Sequence, residues 1–318
     1  MNASLPHRFI MKSLTTKFIA LVILFLFLPV SQACTKPNFP AFSDNQYYFT
    51  AFNQTGASLK SSLNNIIKNH SSFSYTPCVW EMLKEADADP SNPANVIGFY
   101  TRRSIPIVNR DYGGNTPDAW NREHIWAKSH GFPSKNQQAY TDIHHLRASD
   151  KSVNAARGNY DFADGGSPHS ECTDCSVNDS LGTWEAPDVV KGDTARMMFY
   201  MAVRYEGSDN SSTPDLELVD QLTGTSIPQF GKLCDLVNWH IQDPVSDAER
   251  LRNNVVYSWQ GNRNPFIDHP DFVISIWGSS CGISTPLPSV QKIPMLPIWM
   301  FPLLFMAFIV INQFKSRN

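Results

Sequence analysis

The sequence predicts an α+β fold, helix-rich, with a small strand–strand–helix unit near its middle. Three observations carry this. Apolar residues recur at helical spacing early in the chain and over longer stretches in its second half. Between them, residues 103–164 are rich in polar residues, histidine and glycine, with only short apolar runs, as in loops that carry chemistry. Inside that stretch a strand ending in His124, a second strand over Tyr140–Leu146 and a short helix over Ser149–Asn159 follow in order.

At the N-terminus, Arg8, Lys12 and Lys17 precede an uncharged apolar run, Phe18–Val30, and the small residues around Ala33. This pattern predicts a signal peptide over residues 1–33, with Met1 or Met11 as the start. Residues 34–48 read as loop. Leu59, Leu63, Ile66 and Ile67 then share one helical face, and Val79–Glu85 makes a second short helix. Asp89-Pro90-Ser91-Asn92-Pro93 is a turn, and Val96–Thr101 reads as a strand.

Beyond the centre, Asp193–Tyr205 is helical, its Met and Phe residues serving as core packing. Gly231–Ile241 is helical and stops before Pro244. Ser246 and Glu249 have capping-box spacing and open a helix to Trp259 that Gly261 ends. Pro270–Trp277 is a last short helix. The expected domain therefore runs 34–282. Residues 283–318 form a linker and an apolar tail, uncharged from Ile293 to Phe314 and closed by Lys315 and Arg317, which predicts a membrane or sorting segment.

The 318 residues carry a net charge of −3, with 42% hydrophobic and 17% charged residues, which is globular rather than disordered. Overall charge argues weakly against a nucleic-acid partner, but the centre is locally basic. From Thr101 to Tyr160 there are nine Lys/Arg against five Asp/Glu, with four His. The six cysteines of an exported chain predict disulfides, and 15 connectivities are open. For Cys172 and Cys175 a local disulfide is expected rather than half of a zinc site, because no second such pair exists.

The segment Asn121-Arg-Glu-His-Ile-Trp126 holds the groups that phosphodiester hydrolysis needs. His124 is a base titrating near neutral pH. Glu123 offers a hard oxygen ligand and Asn154 a neutral one, a pair that suits Mg²⁺ first, with Ca²⁺ or Mn²⁺ also admissible. Arg122, Arg147 and Arg157 can pair with phosphate. The segments R-E-H (Arg122–His124), D-x-H-H-L (Asp142–Leu146) and V-N-x-x-R-x-N (Val153–Asn159) occur in that order. Trp184–Arg196 and Gln260–Pro270 supply two further blocks.

In these ordered blocks, over roughly Tyr100–Trp277, the chain resembles the endonuclease I family, a branch of the His-Me (ββα-metal) finger nucleases. The resemblance implies a metal-dependent endonuclease acting on DNA and RNA with little sequence preference. It implies His124 as general base, Glu123 and Asn154 as ligands of one divalent ion, and products ending in 5′-phosphate and 3′-hydroxyl. Arg196 falls at a family arginine, expected to contact phosphate. Asp142, His144 and His145 are expected either to orient the site or to pack beneath it. Asn262, Arg263 and Asn264 either touch nucleic acid or cap the preceding helix, and His269 is structural. Two departures stand out. Ala127 replaces a proline common in relatives, and the stretch 127–139 is shorter than the insertion of some periplasmic members. The chain is expected to be exported and monomeric. Two rivals differ in class: an exported zinc hydrolase, which lacks H-E-x-x-H spacing, and a surface binding module, which would not need these residues together.

Overall fold

The computed structural model describes Met1 and residues 34–283, with 115 and 117 excepted. But for Met1 and Ile283, the expected leader and tail lie outside the described residues. Among the described residues no helix is long and apolar enough to cross a membrane.

The architecture is α+β. After a single helical turn, α1 (Asp44–Tyr47), come α2 (Gly56–Ile67) and α3 (Cys78–Ala86). β1 (Ala88–Asp89), β2 (Asn92–Ile97) and β3 (Ser104–Pro106) form an antiparallel meander. β4 (Trp120–His124) pairs antiparallel with β5 (Leu146–Asp150), and α4 (Lys151–Arg157) packs on both. A four-stranded sheet follows in the order β6-β9-β8-β7, from β6 (Asp161–Phe162), β7 (Ser167–His169), β8 (Cys172–Asn178) and β9 (Thr183–Glu185). Next is the long helix α5 (Asp188–Arg204), then a two-stranded parallel ladder, β10 (Glu217–Leu218) with β11 (Gln229–Phe230). Four helices close the chain: α6 (Leu233–Gln242), α7 (Asp247–Gln260), α8 (Pro265–Asp268) and α9 (Asp271–Trp277).

Helix α5 is buried almost all round, so it is the axis of the molecule rather than an amphipathic surface helix. Met197, Met198, Phe199 and Met201 sit in the larger of two cores, against α2, α6 and α8. The smaller core joins α3 to the β4–β5 hairpin through Trp80, Trp120, Leu146 and Ala148. The capping box at Ser246 and Glu249 is formed, and Gly261 ends α7 in the left-handed region, φ 79°. A side chain there would also run into Phe39, whose ring lies 2.3 Å from the place of a Cβ. Disulfides join Cys34–Cys78, Cys172–Cys175 and Cys234–Cys281.

Two strand expectations shift. The second strand of the ββα unit is Leu146–Asp150, not Tyr140–Leu146. Residues 138–141 form a 3₁₀ turn, and the Asp142 carboxylate accepts the His144 amide, so the chain turns there and extends only from Leu146. The helix accordingly starts at Lys151. The strand expected over Val96–Thr101 stops at Ile97, where the chain turns through Arg102 (φ 55°) into β3.

Candidate active site

Alternation along β4 divides the site. Trp120 and Arg122 meet Trp80 of α3, and His124 on the same face meets Tyr75 and Tyr140, whereas Asn121 and Glu123 face Tyr100 and α4. Because β4 runs along the edge of a cleft of about 560 Å³, residues of both faces line it: Arg122 and His124 from one, Asn121, Glu123 and Asn154 from the other. The short α4, capped by Gly158 at φ 60°, brings Asn154 to this wall.

His124 Nε2 lies 3.0 Å from the Tyr140 carbonyl oxygen. A carbonyl only accepts, so Nε2 carries the proton and Nδ1 keeps its lone pair. Burial, reinforced by the neighbouring His145, holds the imidazole well below its usual pKa, so the ring is neutral. Tyr75 stacks on it at 5.8 Å between centroids and 26° between planes, and Tyr140 meets it edge-on at 4.8 Å.

Glu123 is buried. Burial raises its pKa, against which Arg157 and the Tyr100 hydroxyl act. Tyr100 donates to Oε1 at 2.8 Å, and Arg157 Nη1 lies 3.4 Å from the same oxygen. Arg157 also donates to the carbonyls of His124 and Ile125, tying the end of β4 to α4. Asn154 donates its amide to Asn121 Oδ1 at 2.7 Å, which leaves Asn154 Oδ1 as the acceptor. One carboxylate and one neutral amide oxygen on the wall of an open cleft suit a hard divalent cation that keeps several waters. Among the described residues no three His, Cys, Asp or Glu side chains gather as a ligand cluster of the kind a catalytic zinc takes.

Arg122 is held differently from the other arginines near the site. Its guanidinium lies 3.4 Å over the Tyr75 ring and 4.1 Å over Trp80, and it donates to the Tyr75 carbonyl and Thr76 Oγ1. Its Nε is buried without a hydrogen-bond partner, as are those of Arg147 and Arg157, but unlike them it pairs with no carboxylate among the described residues. Such a cation is positioned but uncompensated, ready for an oxyanion.

The remaining expected residues lie elsewhere. Arg196 was expected at phosphate. It is instead fully buried in α5 and forks onto Glu249 with two contacts of 2.7 Å, while Nη1 donates to the Asp243 carbonyl. Arg147, also expected at phosphate, pairs with Asp87 at 3.0 Å and Asp193 at 3.7 Å. Arg157 reaches the site only through Glu123 and the backbone. These three guanidiniums are engaged by carboxylates, so phosphate would have to compete with ionic partners already in place.

Asp142 is a buried hub, accepting from Tyr200, Tyr205 and Gln260. His144 and His145 point to different sides, His144 to the Asn262 carbonyl and His145 to that of Ala139. Asn262, Arg263 and Asn264 are buried and do not line the cleft. Asn264 caps α8, which follows it, rather than the helix before. Arg263 pairs with Asp268, and Asn262 donates to Ile67 and Tyr200. His269 binds Asp44.

Sequence reasoning missed Tyr75, Trp80, Tyr100, Asn121 and Lys128. Asn121 was within reach, because strand alternation puts it on the face of Glu123. Trp80 comes from α3 and Tyr75 from the turn just before it, both far upstream, and nothing local marks them.

A model of the Endonuclease I family matches residues 55–271. The chain is 50% identical over 243 residues to an extracellular ribonuclease of Bacillus subtilis, covering 76% of this chain and 81% of the relative. It is 48% identical to an extracellular ribonuclease of Bacillus amyloliquefaciens over 75% of this chain and 80% of the relative. An extracellular deoxyribonuclease of Aeromonas hydrophila is 27% identical, over 68% of this chain and 89% of the relative.

Proposed function

From the premise that this chain belongs to the endonuclease I family and is a nuclease, we propose that it is exported and hydrolyses RNA and DNA with little sequence preference. The observation that carries the reading is the meeting of Arg122, Glu123, His124 and Asn154 on one cleft wall. Relatives named for RNA and for DNA support both substrates. Disulfides and extracellular relatives support export.

In this reading His124 takes the proton of the attacking water at Nδ1, its ring fixed by the Nε2 hydrogen bond to Tyr140. Arg122 pairs with a phosphate oxygen and holds the scissile group against the β4 edge. Glu123 and Asn154 would hold one divalent ion, Mg²⁺ fitting the donor set best. When bound, that ion offsets charge on the phosphorane and the leaving oxygen. Tyr100 and Arg157 keep the Glu123 carboxylate oriented. Little specificity is expected, since cationic contacts to phosphate carry no sequence information.

The test incubates purified protein with plasmid DNA, single-stranded RNA and casein, with and without a chelator, across salt concentrations. We expect both nucleic acids to be cut at many positions, casein to survive, chelation to stop cleavage and rising salt to weaken it. Cleavage undiminished by chelation, or confined to a few positions on unrelated DNAs, would overturn the reading. Residues 283–318 belong to location rather than catalysis in this proposal, so protein ending after Gly282 should keep full activity.

A further inference from the structure

Beyond the cleavage site, a row of alternating cations and aromatic rings runs outward from His124. Tyr75 stacks on His124, Arg122 lies between Tyr75 and Trp80, Arg110 sits 5.1 Å from the Trp80 ring, and Arg110 also lies 4.5 Å over Tyr112. Trp80 is buried at the base of the row, whereas Tyr112 at its outer end is 77% exposed.

Neither Arg110 nor Arg122 forms an ion pair among the described residues. The buried arginines do: Arg147, Arg157, Arg196, Arg204, Arg252 and Arg263 each meet a carboxylate. A guanidinium held over a ring can still turn N–H groups to phosphate; Arg122 commits Nη1 to Tyr75 and Thr76 and keeps Nη2 for it. The ring beyond it offers a face to a base. Alternating free cations and rings therefore match the alternation of phosphate and base along one strand.

We propose that Arg110 and Tyr112 form a base-stacking subsite continuous with Arg122, which makes the enzyme favour unpaired strands. This rests on the nuclease reading above. A base inside a duplex is already stacked on its neighbours and must be unstacked to reach Tyr112, whereas an unpaired base presents its π-face at no such cost. A purely electrostatic groove would not discriminate in this way, since it would favour the higher charge density of the duplex.

The experiment uses the full chain and one 20-nucleotide DNA sequence, offered as a single strand and as a duplex. Binding is read by fluorescence anisotropy with chelator present, so that nothing is cut, and cleavage is read separately with Mg²⁺. Tyr112→Ala should raise the single-strand Kd by about tenfold, the scale of one lost base stack, and raise the duplex Kd far less. Tyr112→Phe should bind the single strand as the parent does. Arg110→Lys keeps the charge but loses the plane, and should show the same single-strand bias in its loss. Circular dichroism and thermal melting check that each variant is folded. Equal losses on both substrates, or no loss on the single strand, would overturn the proposal. Absence of cleavage in a parent protein that still prefers single strands would instead count against the nuclease reading alone.

Discussion

At the scale of single residues, the proposed base, His124, and the proposed metal ligands, Glu123 and Asn154, can be told apart by experiment. The His124 side chain hydrogen-bonds the Tyr140 carbonyl, so replacing it should remove proton transfer and leave the opposite face of β4 intact. His124→Ala is expected to lower single-turnover cleavage by about 10² or more while metal titration by calorimetry stays near the parent. Glu123→Ala and Asn154→Ala should instead weaken the metal isotherm, and excess Mg²⁺ should partly restore their turnover. Loss of metal binding in His124→Ala together with an unaffected Asn154→Ala would reverse these roles. Arg157 is argued differently, because it is wholly buried and faces an equally buried Glu123. Arg157→Ala strands that carboxylate and leaves the His124 and Ile125 carbonyls short of a donor. A loss of about 3–5 kcal/mol in urea unfolding is expected, and a loss below about 1 kcal/mol would show that Glu123 is not held this way.

At the scale of elements, β4 shows why a short strand suffices. Five residues, paired from Trp120↔Asp150 to His124↔Leu146, present His124 and Arg122 on one face and the Glu123 carboxylate on the other. Being at the cleft edge, the strand exposes both. Helix α7 plays the supporting part. Its N3 residue, Glu249, closes the capping box with Ser246 and also receives the fork of Arg196, so one carboxylate fixes the start of α7 against the axis helix α5. Ser246→Ala removes only the hydroxyl that accepts the Glu249 amide. It should cost about 1 kcal/mol with cleavage unchanged, as measured by chemical denaturation beside a plasmid assay. Gly261→Ala should cost clearly more, because the residue is both at positive φ and against Phe39.

At the scale of the whole molecule, the interior is unusually dependent on neutral histidines. His70, His144 and His240 are each held to a pKa of about 4, chiefly by burial. For His70 and His144 the nearby Asp142 acts in the opposite direction but does not prevail. The sign follows from proton uptake. Between about pH 6.5, where an unfolded histidine titrates, and the folded value of about 4, the unfolded chain binds more protons than the folded one. Stability from these groups is thus complete above pH 6.5 and lost as pH falls toward 4. Asp142, held below the ordinary carboxylate range by His70, His144 and His145 once they are charged and by Gln260, adds its loss at still lower pH. The unfolding midpoint in urea should therefore fall steeply from pH 7 to pH 4.5. A flat profile would mean that these rings are not buried neutral.

The sequence alone determined the class of fold, the order strand–strand–helix, the capping box and Gly261 stop of α7, the local Cys172–Cys175 bridge and the cluster Arg122, Glu123, His124. All of these rest on spacing within a few residues, where backbone periodicity ties position to direction. Asn154 was legible too, though its helix begins two residues later than the periodicity suggests. What only the tertiary structure decided is which arginines are free. Arg122, Arg147, Arg157 and Arg196 look alike as residues, yet Asp87, Glu123 and Glu249 neutralise three of them from distant segments. Tyr75 and Trp80 hold the fourth open at the cleft. A guanidinium's availability depends on what long-range packing places within about 4 Å of it, and local sequence carries no record of that.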